Sequence, residues 1–135
     1  MKNFTAFEIQ GIGVQIFHDR HVEVIYPSEI EITLEIAKDI ESSIIKVIGA
    51  ARFYLIVNFE NVFGQMPDEV QNFYANEAKS RHQIISAIYV INNLPIRILA
   101  KFHIRFFKPT YPVILLASQK DAIDWIEADR IKRSQ

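Results

Sequence analysis

Two apolar runs constrain this chain most: Arg52–Phe59, reading RFYLIVNF, and Ile84–Ile91, reading IISAIYVI. Both are rich in β-branched and aromatic residues and have almost no polar position at their centres, so both are read as strands. A strand apolar on both sides needs cover on both sides, which is the usual condition of strands in sheets flanked by helices. The expected class is therefore α/β, with helices packed on a sheet.

The remaining elements follow from local punctuation. Phe4–Phe17 and His21–Tyr26 show period-two patterning on either side of a polar turn at His18-Asp19-Arg20, which predicts a β-hairpin, with Gly11 and Gly13 read as a bulge. Pro27 ends the second strand. A helix is expected from Leu34 with Thr33 as its N-cap, in preference to a capping box from Ser28 and Glu31, because Ile30 and Ile32 still look strand-like. Ile36, Ala37, Ile40, Ile44, Val47 and Ile48 then recur at steps of three and four, and Gly49 suits the end of that helix.

Glu60–Gln65 is predicted to be a loop, and Pro67, Asp68 and Glu69 to open a short helix with Val70, Phe73, Tyr74 and Ala78 on its apolar stripe. Asn92 or Asn93 caps a helix over Leu94–Phe107, which Pro95 starts and Pro109 stops. Val113–Ala117 is a short strand. Ser118 with Asp121 caps a last helix that turns Ala122, Ile123, Trp125 and Ile126 inward and frays from Glu127. The predicted order is β-β-α-β-α-β-α-β-α over one domain, residues 1–135, with about five strands in a mixed sheet and helices mainly on one face.

Composition bounds the function. The chain has 15 Lys and Arg against 16 Asp and Glu, a formal net charge of -1, so nothing global draws it to nucleic acid, and none is expected as a partner. It contains no cysteine, which removes disulfides, thiolate nucleophiles and cysteine-ligated zinc. The N-terminus lacks the pattern of a signal peptide and no apolar run has the length of a transmembrane helix, so a cytoplasmic location is expected.

Chemistry is sparse. His18 and His21 bracket the hairpin turn and are expected to be solvated, as is His82 after a helix. His103, on the apolar helix, is read as a packed side chain. Gly11 and Gly13 lack the setting of a phosphate loop, and no serine has a nucleophile's surroundings. Glu60 and Asp68 follow the end of the Arg52–Phe59 strand, where open α/β sheets place ligand-facing groups. No catalytic residue, metal ligand or cofactor is predicted from this, and the chain is not expected to be an enzyme.

The Leu94–Phe107 helix stands apart. At 100° per residue, Arg97, Lys101, Arg105 and Lys108 fall within roughly 80° of one another, while apolar residues fill an arc of roughly 240°. A helix on one sheet needs only a narrower apolar face, so some of this surface calls for other cover. Two readings follow. In the first, Arg97, Ile98, Lys101, Ile104, Arg105 and Lys108 form an interaction surface of a regulatory domain that pairs with a second copy, as a dimer, or with another protein. In the second, the domain binds a lipid or small apolar ligand in a pocket between sheet and helix, lined by Tyr74, Ile98, Phe102 and Phe106.

Four segments carry a resemblance: ITLEIAKDI at Ile32–Ile40, FYLIVNFENVFGQMPDE at Phe53–Glu69, SAIYVINNLPIRILAKF at Ser86–Phe102 and KPTYPVILLASQKDAIDWI at Lys108–Ile126. Together they resemble the STAS or SpoIIAA-like superfamily, in particular bacterial STAS/SEC14-type domain proteins of Bacteroidetes. The resemblance implies a mixed sheet with helices largely on one side and a role in protein interaction. In the superfamily's anti-sigma-factor antagonists, a phosphorylatable serine stands at a helix N-terminus after the third strand. Here Met66, Pro67 and Asp68 occupy those positions, and no Ser, Thr or Tyr lies between Phe59 and Phe73, so the phosphoswitch is not expected to operate.

Overall fold

A computed structural model of the chain describes residues 4–17, 21–28, 30–58 and 66–135. It is a mixed α/β domain: one six-stranded sheet with helices packed against it. The strands are β1 (Phe4–Ile9), β2 (Ile12–Phe17), β3 (His21–Ile25), β4 (Phe53–Asn58), β5 (Ile84–Val90) and β6 (Val113–Leu116). The helices are α1 (Leu34–Ile48), α2 (Asp68–Asn72), α3 (Leu94–Phe107) and α4 (Gln119–Arg133). Spatial order follows chain order, β1-β2-β3-β4-β5-β6. The first two pairings are antiparallel and the last three parallel.

The sixth strand comes from the glycine region. Gln10 and Gly11 both take positive φ, 49° and 88°, and form a tight turn where a bulge was expected. The chain therefore reverses at Gln10-Gly11 and pairs β1 with β2, Ile9 opposite Ile12. Gly13 is an ordinary strand residue opposite Glu8. The expected turn at His18–Arg20 and the expected loop at Glu60–Gln65 lie outside the described residues.

The two faces of the sheet are covered differently. On one, Val22, Val24, Phe53, Ile84, Ala87 and Ile91 meet Ile36, Ala37, Ile40 and Ile44 of α1, Val70 of α2 and Ala100 of α3. On the other, Tyr54, Ile56, Ile88 and Val90 meet Ala122 and Ile126 of α4. One irregularity keeps both faces apolar. Phe53 pairs with Ile84, but Tyr54 pairs with Ser86, so Ile85 is an extra residue in β5. That bulge turns Ile84 and Ala87 to the same face, where strict alternation would have opposed them.

Local caps fix the helix starts. The Thr33 side chain accepts from Ile36 N at 3.1 Å, Asn93 from Ile96 N at 3.1 Å, and Ser118 from Asp121 N at 3.1 Å. Asn93→Ala is expected to cost about 1 kcal/mol of stability, read from the midpoint of urea unfolding. The last helix does not fray at Glu127. It runs to Arg133, because Asp129 accepts from Tyr54 Oη at 2.7 Å and from Arg133 Nε at 2.6 Å, while the Arg130 guanidinium lies 5.2 Å from the Tyr54 ring centre. Val47, expected on the buried face of α1, is 46% exposed at its last turn.

Candidate functional site

A cavity of about 80 Å³ lies between the sheet, α1, the segment after α2 and the inner side of α3. Its walls are mostly apolar: Val24, Ile40, Ile44, Phe53, Leu55, Val57, Ala75, Ala78, Ile84, Ile104 and Phe107. Four tyrosines, Tyr26, Tyr74, Tyr89 and Tyr111, enter it from the residue after β3, from the segment after α2, from β5 and from the approach to β6. Room for one water needs about 10–15 Å³ on such a measure, so this space takes several waters or a small organic group.

The segment after α2 shapes the opening. Phe73–Glu77 is a π-turn, in which Ala78 N donates to Phe73 O at 2.8 Å. Widening the helix by one residue takes the carbonyls of Tyr74 and Ala75 off the usual ladder. Other parts of the chain use them. Tyr111 Oη donates to Tyr74 O at 3.1 Å, and both the amide and the hydroxyl of Thr110 donate to Ala75 O, each at 3.1 Å. Asn76 Nδ2 donates to Phe107 O at 2.7 Å. The π-turn therefore anchors the connection from α3 to β6 and closes one side of the cavity.

The hydroxyls form a buried polar network. Tyr26 Oη and Tyr74 Oη are 3.1 Å apart. Burial pushes Tyr26 up from 10.0 to about 12, against the lowering effect of its bond to Tyr74. Burial likewise pushes Tyr89 to about 12, and raises Tyr74 and Tyr111 well above the ordinary phenol value. All four are neutral hydroxyls at neutral pH and can both donate and accept. At another part of the wall, Glu41 Oε2 accepts from Ser80 N at 3.1 Å and from Ser80 Oγ at 2.8 Å. His103 lines the cavity with its ring stacked on Phe107, 5.8 Å between centres.

Of the pocket residues expected from sequence, Tyr74 alone lines the cavity. Ile98, Phe102 and Phe106 are 62%, 62% and 66% exposed and point away from it. The helical phase explains the difference. Ala100 is the one buried residue of α3, and it turns Leu99, His103 and Phe107 inward and Ile98, Phe102 and Phe106 outward. Of the expected interaction surface, Ile98, Lys101, Arg105 and Lys108 are exposed. Arg97 is half-buried and donates to Ile91 O at 3.1 Å, and Ile104 belongs to the cavity wall.

The other expected positions are dispersed. His18 and Glu60 lie outside the described residues, and Asp68 is exposed at the first residue of α2. Met66 is buried and Pro67 occupies the N-cap of α2, without a side-chain cap. His82 is exposed. His21 is not solvated as expected. It is 7% exposed, stacks on Phe17 at 4.3 Å, and has Nε2 3.8 Å from Glu23 Oε2. Gln119 of α4 donates to the other oxygen of the buried Glu23.

Among the described residues, no group of three or more His, Cys, Asp or Glu side chains is arranged to hold a metal ion. No helix among them is long and apolar enough to cross a membrane. The profile of the family DUF7793, described as a domain of unknown function, matches residues 16–129. No curated protein and no solved structure matches the chain.

Proposed function

Since the chain belongs to this family of unknown function, we propose from its geometry that it is a non-enzymatic binding domain whose cavity takes a small, mainly apolar molecule. The supporting observation is the tyrosine-lined space between sheet and helices. Its walls exclude water from an apolar body, and its neutral hydroxyls offer directional bonds to one polar end, the usual composition of a ligand pocket. The hydroxyls enter from four separate parts of the chain, so the bonding positions are set by the fold and not by one loop.

The test uses probes of the right chemistry. Phenol and 1-hexanol are titrated into the protein during thermal unfolding. A probe held at about a hundred times its Kd stabilises by about 2.7 kcal/mol, equivalent to roughly 10 °C for a domain of this size. Ala75→Leu, which fills the space from the π-turn, is expected to abolish the response. Native mass spectrometry of freshly purified protein adds a search for a co-purified ligand. The proposal fails if neither probe moves the midpoint and no bound mass is seen.

We propose further that this family is kin to the STAS-like domains. The unbroken β-α run from β3 to β6 and the departure of a short helix at Pro67 support that kinship. The extra N-terminal strand distinguishes this chain from the five-stranded arrangement expected at first. An experimental structure of another family member with a different strand order would count against it.

A further inference from the structure

We propose that the outer face of α3 docks the domain on an anionic lipid surface. Leu94, Ile98, Phe102 and Phe106 follow one another at four-residue steps and are 62–67% exposed. They make an apolar stripe about 18 Å long at 1.5 Å per residue. These four account for most of the large exposed hydrophobic side chains among the described residues. Phe102 and Phe106 lie with their rings nearly parallel, 6.4 Å between centres, on the solvent side.

Charge identifies the occupant. The exposed cations Lys101 and Arg105 lie along one edge of this stripe at 100° per residue, and Lys108 stands at the C-cap just beyond it. From Ala78 to Lys120 the chain has seven Lys and Arg and no Asp or Glu, in a protein whose net charge is -1. Of these seven, Lys101, Arg105 and Lys108 are the exposed cations of α3 and its C-cap, whereas Lys120 lies on α4 and pairs with Asp124 at 2.8 Å. A second copy of the chain would set this positive face against itself. A membrane interface accommodates a basic edge beside an apolar stripe directly: apolar side chains enter the acyl boundary while long basic stems reach outward to phosphates. The helix lies on the surface and does not span it, in keeping with its 14 residues.

The inner face of the same helix walls the cavity, but the two proposals fail separately, because one concerns small probes and the other vesicles. The full chain is sedimented with vesicles of phosphatidylcholine alone and of phosphatidylcholine with phosphatidylglycerol. Binding to the anionic vesicles only, weakened by salt, is the expected result. Lys101→Glu with Arg105→Glu is expected to reduce it about tenfold or more, and Phe102→Ser with Phe106→Ser by a similar factor. These side chains are exposed, so thermal unfolding of both double variants should stay close to that of the parent. Absence of binding to anionic vesicles overturns the proposal, as does binding indifferent to both double variants. Retention on immobilised polyglutamate without vesicle binding overturns it in favour of an acidic protein partner.

Discussion

Phe53→Ala is expected to remove about 3–5 kcal/mol of folding stability, within the range for truncating a buried phenylalanine. Phe53 is 2% exposed at the first residue of β4, where its amide donates to Gln83 O at 2.9 Å and its backbone pairs with Ile84. The ring fills the core beneath α1 and forms part of the cavity wall. Its loss removes transfer energy and enlarges a space that already exists, so the usual relaxation of neighbours into the gap has less to work with. Small domains hold about 5–15 kcal/mol in total, and this variant gives up a large share of it. Urea unfolding followed by circular dichroism reads the change. A loss below about 1 kcal/mol would show that the wall collapses freely, and would argue against a rigid cavity. In a surviving variant, phenol is expected to recover part of the lost stability by occupying the added volume.

The second large effect appears in alkali. Tyr26 ionises near 10.0 in an unfolded chain and near 12 in the folded one, because burial disfavours the phenolate. Between these values the unfolded chain releases a proton that the folded chain retains, so rising pH favours unfolding. The contribution is complete below about pH 10 and is lost as pH rises through about 12. A two-unit rise corresponds to about 2.7 kcal/mol. Tyr89 is raised to about 12 as well, and burial raises Tyr74 and Tyr111 well above the ordinary phenol value. The expected result is cooperative unfolding above pH 10, with phenolate absorbance and loss of circular dichroism rising together. Tyr26→Phe should make that transition shallower. Phenolate absorbance developing near pH 10 while the fold persists would contradict the buried network.

Features set by neighbouring residues could be read directly from the sequence. Thr33, Asn93 and Ser118 cap their helices as expected, because a cap needs only the amide three residues ahead. The buried character of β4 and β5 was visible in their composition. The Gln10-Gly11 reversal was missed because patterning on both sides of His18–Arg20 drew attention to that break. Gly11 followed at once by Ile12 carried the overlooked signal. His21 looked solvated because it borders a polar turn, whereas Phe17 stacks on its ring and Gln119, 96 residues beyond Glu23, bonds the carboxylate beside it. The cavity was the least legible part. Its tyrosines are spread from residue 26 to residue 111 and meet only after the sheet and π-turn form. For α3, the excess of apolar surface was evident, but its inward direction depended on the small Ala100 fitting beneath it.

The order of the strands bears on how the chain reaches this state. Because each strand lies beside its predecessor, a chain emerging from the ribosome never has to insert a strand between two already paired. The β1–β2–β3 meander can form from local contacts, and each later β-α unit then adds to the free edge. Such growth keeps loop closures short, which favours rapid folding. The far face of β4 and β5 must wait for α4, which follows all six strands in the chain, to cover Tyr54, Ile56, Ile88 and Val90. Until then the nascent domain exposes an apolar sheet surface, and that interval is its period of greatest risk of aggregation during synthesis.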